Sequence, residues 1–546
     1  MSLVSPTVLP AWSVLERLAA GMQDPQRHLR RLVDTPGRFE ALSVHGGGLF
    51  FDFSRQRITP EVKTALCDLA LQRDLVGHFG RMVNGEIVNL SEKRAALHTA
   101  ARRLDGAPVP AAGRDVMPEI RAVREQIRDF AAAVHAGRIT GSTGKPFRDI
   151  VVVGIGGSYL GTAFAAHALA EEARPGMRLH FLANVDIHNF GRVAAAVDPE
   201  ATLWVVISKS YTTTETIANA LQAEHFMRQQ GLDPAHHTVT VTAKGSPGDD
   251  PARPVLSVFH MFDFIGGRYS LTSAVGGVPL SLFLGYEAFE KLLQGAAEMD
   301  QHAAEAPVEK NLPLLAALLT VWNTSFLGYP ALGIIPYAEP LARLPAHVQQ
   351  LNMESNGKSV DLEGRPLAAA SGPIIFGEPG TCAQHSFFQL AHQGRPFPLE
   401  FIGVVRPRYR QPDTALSKGV TNHEELWVNL VAQARALAVG KRDGPPERRF
   451  EGNRPSSTLL VADLSPASVG RLLAFYEART VFEAFVWGLN PFDQFGVELG
   501  KTMAGGLRTQ IANRRRGLAF SQELDPTTRW YLETLWDPAG SHPGKR

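Results

Sequence analysis

Cysteine is nearly absent from this chain. Cys67 and Cys382 are the only two in 546 residues. Two so far apart build neither a disulfide framework nor a cysteine metal cluster, and a reducing compartment is the natural setting. An excess of either charge is also missing: 55 Lys and Arg stand against 54 Asp and Glu, a formal net charge of +1. That balance gives no footprint for nucleic acid or another polyanion, so any anion site has to be local. No apolar run is long enough to span a membrane. The N-terminal MSLVSPTVLPAWSVLERLAA lacks the basic start and clean apolar core of a signal peptide. A cytoplasmic protein with no membrane partner is the expectation.

What is present is ordinary for a globular chain, with 44% hydrophobic and 20% charged residues. The length allows two or more domains. Residues 1–105 read as helical, with LERLAA, TALCDLALQ and EKRAALHTAARRL carrying helical spacing and SVHGGGLFFDFS interrupting as a glycine turn and strand. DGAPVPAAG at 105–113 marks a boundary. Then DIVVVGIGG, RLHFLAN, ATLWVVISKS and HHTVTVTA alternate with helical stretches, the pattern of βαβ units on a parallel sheet. A second α/β region starts near 290 and includes PALGIIPYA, PIIFGEPG, LEFIGVV and STLLVADL. Two such regions of similar size suggest an internal pseudo-duplication. Residues 440–457 read as a surface loop, and from about 512 the chain reads as an extended arm ending in the loose tip PAGSHPGKR.

The stretch VVVGIGGSYLG at 151–161 runs a strand into a phosphate-type glycine turn. A dinucleotide fingerprint needs G-x-G-x-x-G. Gly154 and Gly156 fit, Tyr159 takes the sixth position, and Gly161 comes two residues late, while Asp186 lies where a ribose-binding acid is expected. A nicotinamide enzyme stays open on this stretch, as does a turn with only a packing role. The next unit, VVISKSYTTTETIANA, sets Ser208, Lys209, Ser210, Thr212 and Thr213 between strand and helix. Thr212 and Glu215 have capping-box spacing. The surplus hydroxyls suit phosphate oxygens at a helix N-terminus, and two turns on adjacent parallel strands share one crevice. One phosphate monoester held between Ser158 and residues 208–213 explains both turns.

Four further stretches stand out. DFIGGRYSLTSAVGG places Arg268 after two glycines, either as a solvated turn arginine or aimed into a cleft. QQLNMESNGKSV places Glu354 in a polar turn after a helical segment, beside Gln350, Asn356 and Gly357. GEPGTCAQHSFFQLAHQG holds His385 near the first turn of a helix, with His392 seven residues on and on the same face; a packed histidine is the commoner outcome. PFDQFGVELGKTMAGG reads as a helix with Gln494, Glu498 and Lys501 on one face, either a surface ion pair or a Gln/Lys face toward the crevice.

Taken together, GIGGSYLG, ISKSYTTTET, GGRYSLTSAVG, MESNGK, GEPGTCAQHSFFQLAHQG and FDQFGVELGK resemble, in order, the sequence blocks of the glucose-6-phosphate isomerase (phosphoglucose isomerase) family. RFEALSVHGGGLFFDFSRQRIT and NGEIVNLSEKRAALHTAAR are similar too, so the resemblance covers nearly the whole chain. It implies an α/β fold of two sugar-isomerase αβα sandwiches with parallel sheets. A helical segment at 1–114 packs on the large domain, the small sandwich spans 115–285, the large one 286–511, and an arm 512–546 wraps a partner. It implies an aldose–ketose isomerase of glycolysis and gluconeogenesis, converting glucose 6-phosphate and fructose 6-phosphate through an enediol, with no metal or organic cofactor. By that resemblance Glu354 moves the proton between C2 and C1, Arg268 stabilises charge, and His385 and Lys501 open the ring. Gly157, Ser158, Ser208, Lys209, Ser210, Tyr211, Thr212, Thr213, Gln350 and Gln494 match substrate contacts. The histidine reaches the site from a partner subunit, which implies a homodimer with shared sites. Two positions depart from the family: Tyr159 stands for its usual Asp and Ser210 for a frequent Thr. A non-catalytic sugar-phosphate sensor on the same fold is the remaining rival; the presence of Glu354, Arg268, His385 and Lys501 argues against it.

Overall fold

The strand Asp149–Val153 is buried at every position, and so is its neighbour Thr202–Ile207. Runs this rich in Val and Ile, apolar on both faces, belong inside a sheet covered by helices on each side. The computed structural model describes residues 4–409, 413–415 and 418–536, and places these two strands in a five-stranded, wholly parallel sheet. Its order is Ser257–Met261, Thr238–Ala243, Thr202–Ile207, Asp149–Val153, Arg178–Leu182. Helices Leu160–Ala168 and Thr214–Gln229 are the crossovers that follow the two central strands.

The second sheet has six strands, in the order Ser43–Gly46, Leu49–Asp52, Ser456–Val461, Leu399–Val404, Ala331–Tyr337, Ile374–Phe376. The last four run parallel, and the N-terminal hairpin adds antiparallel to Ser456–Val461. Its two-residue loop is Gly47–Gly48, at φ +54° and +74°. Both centres of a primed hairpin turn need positive φ, which is why two glycines sit there.

Helix Pro466–Trp487 is buried along its length apart from Ala467 and Arg471. It packs on helix Tyr286–Glu305 at glycines: a Cβ on Gly470 would lie 2.0 Å from the Leu292 carbonyl oxygen. Apart from Arg471, its charged residues are buried against partners of opposite sign. Arg102 meets Asp300 at 2.5 Å and also Glu477; Arg479 meets Glu400 at 2.9 Å and Glu483 at 3.0 Å.

Two sequence expectations differ from the structure here. EKRAALHTAARRL is not a helix; it forms the short strand Arg94–Ala95 and the 3-10 turn Ala100–Arg102. Arg102 is drawn inward to its carboxylates, and that tertiary pairing overrides helical spacing. The C-terminal stretch is not extended. Within the compact unit Asp493–Arg546, helices Glu498–Arg515 and Pro526–Trp536 form. The Asp525 carboxylate accepts from Thr528 N at 3.0 Å, a helix cap, and the Arg514 and Arg515 guanidiniums lie 5.8 and 5.6 Å from the Trp536 ring. The tip PAGSHPGKR lies outside the described residues. The other compact unit is Met1–Phe492.

Candidate active site

Strand Asp149–Val153 ends at Gly154, and the 3-10 turn Gly156–Ser158 follows. Each glycine has a steric reason. A Cβ on Gly154 would sit 3.2 Å from the Ile207 carbonyl at the end of the neighbouring strand; one on Gly157 would sit 2.2 Å from the Gly267 carbonyl carbon. The turn therefore touches both the next βα turn and the segment that carries Arg268. Asp186, the expected ribose partner of a dinucleotide, instead caps helix Ile187–Ala196 by accepting from His188 N at 2.9 Å.

The hydroxyl turn leaves the adjacent parallel strand, as expected. Ser208 is buried, and its hydroxyl lies 3.5 Å from that of Thr213. The Thr212–Glu215 capping box does not form. The helix begins at Thr214 with Thr213 as N-cap, and the Thr212 hydroxyl pairs with Ser210 at 2.7 Å. Tyr211 has φ +51° and a buried ring packed on Gly248 with Arg253 5.7 Å away, so only its backbone lines the turn. Lys209 turns inward: its ammonium donates to the carbonyls of Asp263 at 3.0 Å and Ile265 at 3.3 Å. Burial, followed by the charge of Arg94, lowers its pKa. It braces the segment leading into Gly266, Gly267 and Arg268.

Glu354 is not in a turn. It lies in the last turn of helix Leu344–Asn356, which ends at Gly357, and the Lys358 ammonium donates to the carbonyls of Glu354 at 2.9 Å and Ser355 at 3.0 Å. A cation suits the negative end of a helix. One turn earlier, Gln350 donates its amide N–H to Glu354 Oε2 at 2.9 Å. The other amide atom, Gln350 Oε1, is buried without a partner among the described residues, an acceptor left for a ligand hydroxyl. Gln350 also borders the glycine turn, with its amide nitrogen 3.2 Å from where a Cβ on Gly156 would be. Arg268, 3% exposed, brings Nη1 to 3.9 Å from Glu354 Oε1. Its Nε–H donates to Ser355 Oγ at 2.7 Å and its Nη2 to the Pro491 carbonyl at 2.5 Å.

The opposite face of the Glu354 helix is anchored. Asn352 and Asn356 both donate to Glu483 Oε2, at 2.5 and 3.0 Å, and Glu483 in turn accepts from Arg479. Sequence reading missed Ser355, Asn352 and Glu483. The polar string LNMESN held the signal for the first two, at spacings that place them off the Glu354 face; nothing local pointed to Glu483.

His385 is exposed at the end of the 3-10 turn Cys382–His385. It does not share a helix face with His392, because helix Phe388–Gln393 starts only after Ser386 and Phe387; His392 bonds to Gln433 at 2.8 Å. Gln494 does not share a helix face with Lys501 either. It has φ −156° and precedes the 3-10 turn Phe495–Val497, while Lys501 lies exposed on helix Glu498–Arg515. Both belong to the unit Asp493–Arg546. The structure thus gathers Gly157, Arg268, Gln350 and Glu354 around one turn and sets the Ser208–Thr213 turn on the next strand. Among the described residues no group of three or more His, Cys, Asp or Glu side chains is placed to hold a metal ion.

The family model described as phosphoglucose isomerase matches residues 52–529. A glucose-6-phosphate isomerase of Desulfosudis oleivorans is 60% identical over 535 residues, covering 97% of this chain and 98% of the relative. A cytosolic glucose-6-phosphate isomerase of Arabidopsis thaliana is 42% identical over 533 residues, covering 94% and 95%. The crystal structure of a glucose-6-phosphate isomerase from Chlamydia trachomatis superposes with a TM-score of 0.88 at 38% identity, covering 97% of this chain and 99% of that one.

Proposed function

This chain belongs to the phosphoglucose isomerase family and is an aldose–ketose isomerase that interconverts glucose 6-phosphate and fructose 6-phosphate; from that premise we propose that Glu354 is the base and Arg268 the charge-stabilising group. The observation that carries this assignment is the guanidinium 3.9 Å from a carboxylate that Gln350 orients at the edge of the glycine turn. A proton next to a carbonyl leaves only as negative charge builds on the oxygen. A fixed cation lowers that barrier, by roughly 2.7–4 kcal/mol for one well-placed donor. Glu354 takes the C2 proton of the open-chain aldose, the cis-enediolate forms beside Arg268, and the same carboxylic acid returns the proton at C1 while the hydroxyl proton passes from O2 to O1. One carboxylate serves both carbons because they are adjacent on one face.

The phosphate is held at the Gly157–Ser158 turn and by the hydroxyls of Ser158, Ser208, Ser210, Thr212 and Thr213, with Tyr211 contributing backbone to the second turn and Lys209 bracing the wall beside it. Gln350 offers its free carbonyl oxygen to a sugar hydroxyl. Gln494 is a further substrate contact. His385 and Lys501 exchange the protons of ring opening; a histidine suits such transfers near neutral pH. His385 is exposed on its own chain, in keeping with delivery to the site of a partner subunit in a homodimer. The departure at Tyr159 has a packing role: its ring stands edge-on to Phe181 at 5.3 Å. We divide the chain at 114/115 and 285/286, with the hairpin at 43–52 belonging to the large domain; the boundary expected at 511/512 falls inside helix Glu498–Arg515, and the C-terminal unit starts at Asp493. A cytoplasmic setting rests on the plant relative's name and on the absence, among the described residues, of a helix long and apolar enough to cross a membrane.

The test is conversion of fructose 6-phosphate to glucose 6-phosphate in deuterium oxide with no cofactor added. Deuterium at C2 of the product is expected from the wild type and not from Glu354→Gln. Retention of activity and exchange in that variant removes Glu354 as the base.

A further inference from the structure

An arginine that stabilises a developing charge needs orientation as well as proximity, because its side chain has many rotamers and a 1 Å error weakens the effect steeply. Among the contacts that orient Arg268, those from Pro491, Tyr269 and Ser355 come from buried groups. Nη2 donates to the Pro491 carbonyl, the guanidinium lies 5.6 Å from the ring of Tyr269, and Nε donates to Ser355 Oγ. Ser355 is fully buried and follows Glu354 directly in the same helix. Its hydroxyl is shared, since the Tyr269 hydroxyl lies 3.0 Å from it and 3.5 Å from the Pro491 carbonyl. Burial pushes the Tyr269 phenol up to about 12, so it remains a neutral donor. The ring of Tyr269 is in turn backed by His98 at 4.7 Å and Phe492 at 5.6 Å.

We propose that Ser355 is a positioning residue for the reaction: its hydroxyl, backed by Tyr269, sets the guanidinium of Arg268 against the reacting edge of the sugar at a fixed separation from Glu354. This rests on the reading of Glu354 and Arg268 above. The base and the hydroxyl that aims the cation are adjacent residues of one helix, so the two catalytic groups share one rigid support. The separation itself is informative. At 3.9 Å, Arg268 Nη1 and Glu354 Oε1 are too far apart to hydrogen-bond. The Ser355 bond holds the fork off the carboxylate, which would otherwise draw it into a close ion pair.

The experiment measures kcat, KM and thermal unfolding for wild type, Ser355→Ala, Tyr269→Phe and the double variant. It also measures binding of two probes. One is a five-carbon aldonate 5-phosphate, whose planar carboxylate carries charge where an enediolate does; the other is a hexitol 6-phosphate, which carries the phosphate and hydroxyls alone. Ser355→Ala is expected to lower kcat by roughly tenfold or more with KM within about threefold, because the lost contact acts in the transition state. Aldonate affinity falls by a like factor and hexitol phosphate affinity stays. Tyr269→Phe, nearly isosteric, shows the same split at roughly two- to threefold, and the double variant loses no more than Ser355→Ala, the non-additivity of groups acting through one another. Unchanged kcat and aldonate affinity in a folded Ser355→Ala overturn the proposal, as does equal loss of both probes. Should Ser355→Ala fail to fold, Tyr269→Phe decides: the split supports the proposal, and wild-type values overturn it. A wild type that converts no fructose 6-phosphate overturns the underlying functional reading instead.

Discussion

Helix Leu344–Asn356 has two faces built from similar groups and used for opposite ends. On one, Asn352 and Asn356 are buried and bonded to Glu483, whose charge is met by Arg479, which also holds Glu400. On the other, Gln350 and Glu354 form one amide–carboxylate pair beside an arginine, with the carboxylate side chain 25% exposed. Each face has amides, a glutamate and an arginine. The anchored face closes its hydrogen bonds internally and gives rigidity. The open face leaves a buried acceptor on Gln350 and a carboxylate facing solvent, and gives chemistry. A buried polar network is tolerable only when paired; an active carboxylate is useful only where a substrate can reach it.

Substitutions on the two faces should therefore separate activity from stability. The largest effect is expected from Glu354→Gln, with kcat reduced roughly 10³-fold and thermal unfolding close to wild type. Steady-state kinetics with calorimetry checks this, and a large drop in melting temperature would merge the two faces. Next is Arg479→Met, which strands Glu400 and Glu483 without their cation; breaking a buried pair costs about 3–5 kcal/mol, read by denaturant unfolding. Full stability there with lost activity would reverse the roles.

Two turns before Glu354, on the same side of the helix, lies His347, buried and stacked on Phe164 at 5.8 Å. Burial lowers its pKa to about 4. The unfolded chain takes the proton first, so this contribution to stability is full above pH 6.5 and is lost as pH falls toward 4. His347→Phe should flatten that acid loss by up to about 3 kcal/mol, seen as a smaller difference in unfolding free energy between pH 7 and pH 4. The smallest effect is expected for Gln350→Leu, which removes one hydrogen bond from Glu354. Roughly 1 kcal/mol of catalysis, a several-fold fall in kcat/KM, should follow with stability nearly unchanged. A stability loss equal to that of Arg479→Met would place Gln350 among the anchoring residues.

Much of this was legible before any coordinates. The β-branched runs, the two βα turns and the glycine turn before an aromatic strand follow from local chemistry, and each strand expected at 149–243 and 330–464 is present, while Ser257–Met261 is a strand not expected from the sequence. The misreadings share a cause. EKRAALHTAARRL has helical spacing, yet Arg102 is pulled into a distant carboxylate pair. Thr212 has capping spacing, yet its hydroxyl is engaged by Ser210. Lys209, expected among the substrate contacts, also braces carbonyls 54 and 56 residues away, a role no local pattern announces.

By itself the sequence determined the element types, the two phosphate-type turns and the residue kinds that carry the chemistry, because backbone preference, hydrophobic period and side-chain inventory are properties of neighbouring residues. Only the tertiary structure decided which of those residues meet. That Arg268 stands beside Glu354, that Ser355 aims the one while flanking the other, and that Glu483 pins the same helix from behind all depend on segments 86 to 131 residues apart. Such contacts arise from packing and buried charge pairing, which act through space and leave no local pattern.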